Sequence, residues 1–260
     1  CRMCVAACRR EALQEDGGGL RIARDLCGGC GACAEVCPAN AMEMLGRMVE
    51  LDALVSELLK DRAYYQSSGG GVTASGGEPT LQAAFTAALF ERLQAAGVRT
   101  ALDTCGLCSR SALEEILPHS DLVLYDLKEM DAARHRQFTG SEPARILENL
   151  CWVSEVCAQR GIELWVRTPL IPGATASPEN LLAIAAFLAG LPGRVARWEL
   201  CAFNNLCRDK YRRLDIVWPY VDTPLLTRAE LDGYAGVARA SGIDPGIVYA
   251  TGVVSDRTSY

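Results

Sequence analysis

The sequence predicts an α/β protein, in which a parallel sheet with helical crossovers follows a small cysteine-rich module. From about residue 47 onward, short apolar runs of strand character alternate with segments of helical periodicity. Such an alternation implies parallel strands joined by helices. Five or six strand-helix units are visible, which is the size of a partial or full α/β barrel. Ahead of them, seven of the thirteen cysteines lie in the first 37 residues.

The spacing of these seven cysteines predicts two iron-sulfur clusters. The first run has the pattern C-x2-C-x3-C, and the second has C-x2-C-x2-C-x3-C-P. A tight C-x2-C-x2-C loop turns three thiolates toward one 4Fe-4S cube, while the fourth cysteine of each run ligates the other cube. A zinc ribbon or a disulfide-stapled module also contains C-x2-C pairs, but two such runs with a closing proline favour iron.

This spacing also predicts which cysteines share a cluster. The complete cluster is expected on Cys8, Cys27, Cys30 and Cys33. The other cluster is expected on Cys1, Cys4 and Cys37. Its fourth ligand would lie three residues before Cys1, so the chain is expected to begin inside a domain.

The first predicted elements after the cysteine module are a helix, a strand and a second helix. Residues 48–59 have helical periodicity, and residues 69–75 form a strand whose small residues allow close packing. Apolar residues at a spacing of four predict the next helix, which ends near Gly97. They are Leu81, Phe85, Leu89 and Leu93.

The middle of the chain predicts a strand, a short helix and a second, buried strand. The first strand covers residues 99–103. Ser111 and Glu114 form a capping box for the helix, which ends at Pro118. The continuous apolar character of residues 121–126 is typical of a strand that is buried on both faces.

The last part of the chain continues the alternation, and capping residues mark two helix starts. Ser177 and Pro178 suit the first positions of one helix, and Thr227 with Glu230 forms a capping box for the last helix. The remaining predicted elements are a helix over about 144–160 and strands over 163–168, 197–203 and 246–249.

Composition narrows the class of protein and its location. The net charge of -6 argues against nucleic acid as a partner, and no long apolar segment predicts a membrane span. Cysteines that hold iron require a reducing compartment, so the cytoplasm is the expected location. The two histidines, His119 and His135, leave little material for histidine chemistry and are expected to be ordinary surface residues.

Unusual motifs follow three of the predicted strands. They are Ser-Gly-Gly-Glu-Pro at 75–79, Asp-Leu-Lys at 126–128 and Arg-x-Pro-x-Ile-Pro-Gly at 167–173. A Gly-Gly pair lets the backbone approach a ligand closely, and the glutamate beside it can pair with an ammonium group. Each motif alone is a weak signal. In combination with the iron-sulfur module, they resemble the glycyl radical enzyme activating enzymes of the radical S-adenosylmethionine (SAM) superfamily.

This resemblance implies an architecture and a chemistry. The expected fold is a partial (β/α)6 barrel of the radical SAM type, over residues 47–260, with an incomplete ferredoxin-like domain over residues 1–46. In this family a C-x3-C-x2-C motif holds a third 4Fe-4S cluster that chelates SAM. One electron then cleaves SAM to methionine and a 5'-deoxyadenosyl radical, which takes a hydrogen atom from a glycine of a large partner enzyme. The resemblance further implies a monomer that receives electrons from flavodoxin or ferredoxin.

The resemblance also implies which residues bind SAM. Gly76, Gly77 and Glu78 match the segment that holds its methionine part, with Glu78 on the amino group, and Arg167 matches a SAM-contacting arginine. Asp103, Thr104 and Asp126 fall where some members hold a monovalent cation beside SAM. The other cofactor-binding positions that match are Leu127 and Lys128, in the Asp-Leu-Lys motif, and Asn204.

Two departures from the family pattern bear on activity. Asn204 stands where many members have a histidine, although an amide can still donate and accept hydrogen bonds. The C-x3-C-x2-C motif does not occur in the sequence. We therefore expect a fragment that lacks the first strand and the catalytic cysteines, and that does not cleave SAM by itself.

Two alternatives remain open from the sequence. One is an electron-transfer protein in which a ferredoxin domain is fused to a degenerate barrel, although such a protein would need none of the strand-end motifs. The other is a radical SAM enzyme that acts on a small molecule.

Overall fold

A computed structural model describes residues 1–17 and 19–255 of the chain. The chain divides into two compact units, Cys1–Glu50 and Leu51–Tyr260. Within the described ranges, no helix has the length and apolar character that crossing a membrane requires.

The first unit contains a small hairpin and two short helices. Strands β1 (Leu13–Asp16) and β2 (Gly19–Ile22) pair antiparallel, and the helices are α1 (Met3–Ala7) and α2 (Ala32–Glu35). The apolar side chains that this unit buries, within its described part, are those of Ala12 and Leu13. A unit of this size with so small a core needs further crosslinks, such as bound metal, to be stable.

The second unit is built on a six-stranded sheet in which every pair of neighbouring strands is parallel. The spatial order of the strands follows the chain, with β3 and β8 at the edges. The predicted α/β class with a parallel sheet is therefore confirmed. The strands are β3 (Gly71–Ala74), β4 (Arg99–Thr104), β5 (Leu122–Asp126), β6 (Glu163–Leu170), β7 (Arg197–Ala202) and β8 (Val248–Thr251).

Helices precede and connect these strands. They are α3 (Leu51–Leu58), α4 (Arg62–Ser68), α5 (Ala83–Ala95), α6 (Arg110–Ile116), α7 (Ala132–Thr139), α8 (Ala144–Arg160), α9 (Pro178–Ala189), α10 (Arg208–Arg213) and α11 (Arg228–Arg239). The sequence pattern does not predict α4, α7 and α10. These helices are short and largely polar, so they have little of the apolar periodicity by which a helix is recognised.

The core lies between the sheet and its helices, and the buried Trp198 and Thr168 side chains within it are hydrogen-bonded to each other. Trp198 and Tyr125 are among the largest fully buried side chains. The indole nitrogen of Trp198 donates to Thr168 Oγ1 at 3.0 Å, and Thr168 Oγ1 donates to the carbonyl of Leu127 at 2.9 Å. These bonds link β7, β6 and the residue after β5, so they stabilise the sheet near its carboxyl edge.

The capping predictions have mixed outcomes. Thr227 and Glu230 form the predicted capping box of α11, and Ser177 caps α9 with Pro178 in its first turn. The capping box at Ser111 is wrong, because the residue that caps α6 is Ser109, whose hydroxyl accepts from the amide of Ala112.

The predicted end of α5 is confirmed, whereas its predicted start is wrong. Gly97, with a φ of +74°, follows the Ala96 cap as expected. Leu81 does not belong to α5. It lies in a 3-10 turn over Pro79–Gln82 and is 79% exposed.

Two glycines allow close packing at opposite ends of strands. A Cβ on Gly71 would lie 2.0 Å from the carbonyl oxygen of Arg99, so close packing is found at this one small residue of β3. Gly106, just beyond β4, has a φ of +70°, and a Cβ there would lie 1.6 Å from the hydroxyl oxygen of Tyr125. That hydroxyl donates to the carbonyl of Ile146 at 2.8 Å, so it is not free to move away.

We expect Gly106→Ala to lower the free energy of unfolding by about 2–5 kcal/mol, because the new methyl group overlaps Tyr125 and the left-handed backbone is strained. Urea unfolding followed by circular dichroism measures the change. Gly233→Ala is the matched control. Gly233 lies inside α11 with nothing within 4 Å of its Cβ position, so that variant should gain up to about 1 kcal/mol. Equal stability of the two variants would contradict the packing at Gly106.

Candidate functional site

The polar residues that the sequence places after strands lie along the carboxyl edge of the sheet. Asp103 belongs to the end of β4, Asp126 ends β5, and Arg167 lies within β6. Asp126 and Arg167 are direct neighbours in the register of β5 and β6. Because parallel strands end at a common edge, this is where α/β barrels place their ligand chemistry.

Arg167 joins two carboxylates. Its Nη2 donates to Asp103 Oδ1 and, at 2.9 Å, to Asp126 Oδ1, to which Nε also donates at 3.1 Å. Burial by itself would lower the pKa of the guanidinium, but the charges of Asp126 and Asp103 outweigh burial, so the pKa of Arg167 lies above its ordinary value. The guanidinium therefore stays charged and holds the ends of β4, β5 and β6 together.

The charged network extends on both sides of Arg167. Lys128 Nζ lies 3.0 Å from Asp126 Oδ2, and the hydroxyl of Ser75 donates to Asp103 Oδ2 at 2.6 Å. The side chains of Asp103, Asp126, Lys128 and Arg167 are between 16% and 31% exposed. Charges in such a partly shielded position are screened less than surface charges, so they can act strongly on a bound ion.

Glu78 occupies a cage of hydrogen-bond donors. Its Oε1 accepts from the Thr104 hydroxyl at 2.7 Å and from the hydroxyl and amide of Thr80 at 2.8 and 3.2 Å. Its Oε2 accepts from the amide of Cys105 at 3.0 Å. Oε1 is fully used by these three bonds, whereas Oε2 can accept a further hydrogen bond from a ligand.

The cage controls the charge of Glu78. Burial opposes ionisation of this half-buried carboxyl, but the hydrogen bonds from Cys105, Thr104 and Thr80 outweigh burial, so the pKa of Glu78 lies below its usual value. Glu78 is therefore a carboxylate at neutral pH. Its position is set before any ligand arrives, which suits it to pairing with an ammonium group.

The other sequence-predicted site residues differ in what they can contact. Gly76 and Gly77 are exposed, with nothing within 4 Å of their Cβ positions, so a ligand could approach this backbone. The side chain of Leu127 is fully buried, so only its backbone could face a ligand. Asn204 is exposed, and its Oδ1 accepts from the amide of Leu206 at 3.2 Å. This hydrogen bond does not involve any of the other predicted site residues.

Sequence reasoning did not assign several residues that shape the site. Ser75 and Thr80 hold Asp103 and Glu78, and the Cys105 amide completes the cage. The threonine two residues after Glu78 was the available signal, because a carboxylate often accepts from the amide two residues on at the start of a helical turn. The prediction that His135 is a surface residue is wrong: it is 2% exposed, because α7 turns it inward. His119 is half-buried.

The predicted cysteine ligands are all free thiols. Within residues 1–17 and 19–255, no three or more His, Cys, Asp or Glu side chains converge closely enough to hold a metal ion. The assignment of Cys1, Cys4 and Cys37 to one cluster, and of Cys8, Cys27, Cys30 and Cys33 to the other, therefore stays a prediction.

Two of these cysteines have surroundings that fit an iron-sulfur ligand. The amide of Ala12 donates to Cys8 Sγ at 3.3 Å, and the amide of Ala41 donates to Cys37 Sγ at 3.2 Å. Backbone hydrogen bonds lower the pKa of both thiols, chiefly from Ala12 for Cys8 and from Met42 for Cys37. The thiolate is the metal-binding form of cysteine, so these sites favour the donor that a cluster needs.

Known proteins have sequences similar to the cysteine-rich module and to most of the chain. Residues 20–43 match the family model for the 4Fe-4S binding domain. The isethionate sulfite-lyase activating enzyme of Desulfovibrio desulfuricans is 36% identical over 235 residues, which cover 90% of this chain and 74% of that protein. The pyruvate formate-lyase 2-activating enzyme of Escherichia coli is 36% identical over 217 residues, which cover 84% of this chain and 72% of that protein.

Solved structures agree with this placement. A domain of pyruvate-formate lyase-activating enzyme from Bacteroides vulgatus matches with a TM-score of 0.55 and 26% identity, covering 70% of this chain and 99% of that chain. A radical SAM methyltransferase from Sphaerobacter thermophilus, with a TM-score of 0.59 and 16% identity, covers 82% of this chain and 60% of that chain and shares the fold. The chain belongs to the glycyl-radical-enzyme activating enzymes, the oxidoreductases of the radical SAM family that work with 4Fe-4S clusters and S-adenosylmethionine.

Proposed function

We propose that this chain binds SAM at the carboxyl edge of its sheet and serves the formation of a glycyl radical on a partner enzyme. The observation that carries the proposal is that the carboxylate of Glu78 is held by the end of β4, whose neighbouring strand ends carry the cationic groups of Lys128 and Arg167. The relatives are named as activating enzymes of isethionate sulfite-lyase and of pyruvate formate-lyase 2, which supports a large glycyl radical enzyme as the partner.

The arrangement of charges matches the charges of SAM. The methionine part of SAM carries an ammonium and a carboxylate. Glu78 Oε2, which has hydrogen-bonding capacity left, would accept from the ammonium. Lys128 and Arg167 would attract the carboxylate, and the open backbone at Gly76 and Gly77 gives the ligand room to approach.

The proposed role of the iron-sulfur module is electron relay. When bound, a 4Fe-4S cluster supplies the electron that cleaves SAM reductively. Cys8 and Cys37, whose thiolates are stabilised by backbone amides, would each hold one of two clusters together with the other cysteines of the two runs. Flavodoxin or ferredoxin is the proposed electron donor, and a cytoplasmic monomer is the proposed state.

The C-x3-C-x2-C motif does not occur among the 260 residues. We propose that these residues bind SAM, relay electrons and contact the partner enzyme. Reductive cleavage of SAM needs, in addition, the third cluster that the C-x3-C-x2-C motif holds in this family. We propose no ligand of that third cluster among the thirteen cysteines.

We expect Glu78→Gln to weaken SAM binding about tenfold to a hundredfold, because a neutral amide replaces the carboxylate that pairs with the ammonium. Isothermal titration calorimetry on the anaerobically reconstituted 260-residue chain measures the affinity. Glu115→Gln, an exposed glutamate in α6, is the matched control and should bind SAM like the wild type. No SAM binding by the wild type, or equal affinity in Glu78→Gln, would count against the proposed site.

We expect Cys30→Ala to lose about four irons and about four sulfides per chain relative to the wild type, because one 4Fe-4S cluster loses a ligand. Iron and acid-labile sulfide are measured after anaerobic reconstitution. Cys151→Ala, a half-buried cysteine of α8, should keep the wild-type content. Zinc without acid-labile sulfide would contradict the iron-sulfur assignment.

A further inference from the structure

Strand β5 ends at Asp126, but the chain beyond it keeps the alternating burial of a strand. Leu127 and Glu129 are buried, and Lys128 between them is partly exposed. We call residues 127–130 the β5 extension. It carries Lys128, whose ammonium lies 3.0 Å from Asp126 Oδ2 at the proposed SAM site. The backbone of the β5 extension therefore sets where this ammonium can lie.

Both neighbouring strands stop pairing with the chain at the start of the β5 extension. The register of β4 with β5 ends at Tyr125. On the other side, β6 carries Pro169, which has no N–H to continue a parallel ladder. The hydroxyl of Thr168 replaces that donor and reaches the carbonyl of Leu127 at 2.9 Å. From Lys128 onward, the backbone polar groups of the β5 extension need partners other than strands.

Asn180, in the first turn of α9, supplies such partners with its side-chain amide. Its Nδ2 donates to the carbonyl of Lys128 at 2.9 Å, and its Oδ1 accepts from the amide of Met130 at 3.0 Å. A residue of a parallel strand makes the same two contacts, with the carbonyl of one residue and the amide two residues further on. The Asn180 side chain therefore takes the place of a peptide unit of a neighbouring strand. It is 4% exposed, so water competes little for these hydrogen bonds.

Asn180 also joins the β5 extension to the loop after β6. Its Nδ2 donates a second hydrogen bond, at 3.0 Å, to the carbonyl of Thr175. Another link runs through the buried carboxylate of Glu129, whose Oε2 accepts from Arg134 Nε at 2.9 Å, while Arg134 Nη2 donates to the carbonyl of Ala174. Because both N–H groups of the Asn180 amide are used in this way, the segments that follow β5 and β6 hold each other in place.

We propose that Asn180 is a positioning residue of the proposed SAM site, which holds the β5 extension so that the ammonium of Lys128 stays beside Asp126 and can pair with the carboxylate of SAM. Asn180 acts through the backbone of Lys128. Without it, the β5 extension would have to be ordered when the ligand binds, and that entropic cost would lower the affinity. The inference rests on the proposed function, but the ordering of Lys128 can be measured without SAM.

The first test uses the fact that the chain has three lysines, of which Lys60 and Lys210 are exposed. The reconstituted 260-residue chain, labelled with ¹³C at the lysine Cε, gives one ¹H–¹³C signal for each lysine, and Lys128→Arg assigns the signal of Lys128. In the wild type, we expect ¹³C relaxation to show Lys128 Cε as more restricted than the other two. Asn180→Leu keeps the shape of the side chain but not its hydrogen bonds, and should give Lys128 the relaxation of an exposed lysine.

The second test is a double-mutant cycle on SAM affinity, measured by isothermal titration calorimetry. We expect Asn180→Leu to weaken SAM binding about threefold to tenfold. In a Lys128→Met background, the same change should alter the affinity by less than about twofold, because the group that Asn180 positions is already gone. A residue that only supports the fold would cause the same loss in both backgrounds.

The matched control is Ser154→Ala, which also removes buried hydrogen bonds. The hydroxyl of Ser154, in α8, donates to the carbonyl of Cys151 at 2.7 Å and accepts from the amide of Gly193 at 3.3 Å, ahead of β7. This variant should lower the free energy of unfolding but leave Lys128 relaxation and SAM affinity at wild-type values. Asn180→Ala, whose smaller side chain is easier to accommodate, is measured beside Asn180→Leu, and circular dichroism confirms that each variant is folded.

Two results would overturn the inference. They are unchanged Lys128 relaxation in the folded Asn180 variants, and equal losses of SAM affinity with and without Lys128. SAM binding by the wild type together with either result rejects the role of Asn180 alone. If the wild type does not bind SAM but the Asn180 variants release Lys128, the proposed function is rejected and the positioning of Lys128 by Asn180 stands.

Discussion

Two carboxylates, Asp103 and Asp126, lie near each other at the ends of neighbouring strands, and the guanidinium of Arg167 between them is the interaction on which the site depends. Two like charges in a partly buried position repel each other, and a cation between them offsets that repulsion. Arg167 comes from the next strand, and the register of β5 and β6 places it beside Asp126. Sheet register and site electrostatics therefore stabilise each other.

Glu78 is likewise a partly buried carboxylate that its neighbours stabilise. A half-buried carboxylate is costly unless donors surround it, and here the donors come from its own turn and from the end of β4. The groups that lower the pKa of Glu78 also fix its orientation. The conformational entropy of this side chain is therefore lost during folding and not when a ligand binds. A ligand with an ammonium group would find the carboxylate already charged and in place, which is the meaning of preorganisation.

The cysteine module depends on different physics. Its described part buries little apolar surface, so the hydrophobic effect alone contributes little to its stability. The amides of Ala12 and Ala41, each four residues after a cysteine, donate to the sulfurs of Cys8 and Cys37 in matching geometry. This repeat reflects the repeated cysteine spacing, and it prepares thiolates for metal. In such modules the binding of metal and the stability of the fold are coupled.

The sequence by itself determined the parallel sheet, the caps of α9 and α11, and the motifs that carry charge, because periodicity and capping residues are local patterns. Short polar helices such as α7 escaped prediction, since tertiary contacts and not periodicity stabilise them. Only the tertiary structure decided that Arg167 is shared by Asp103 and Asp126, that Thr104 and Cys105 cage Glu78, and that His135 is buried. These contacts depend on which strand ends and loops lie close together in the folded chain. The residues involved are far apart in the sequence, so no local sequence pattern predicts their contacts.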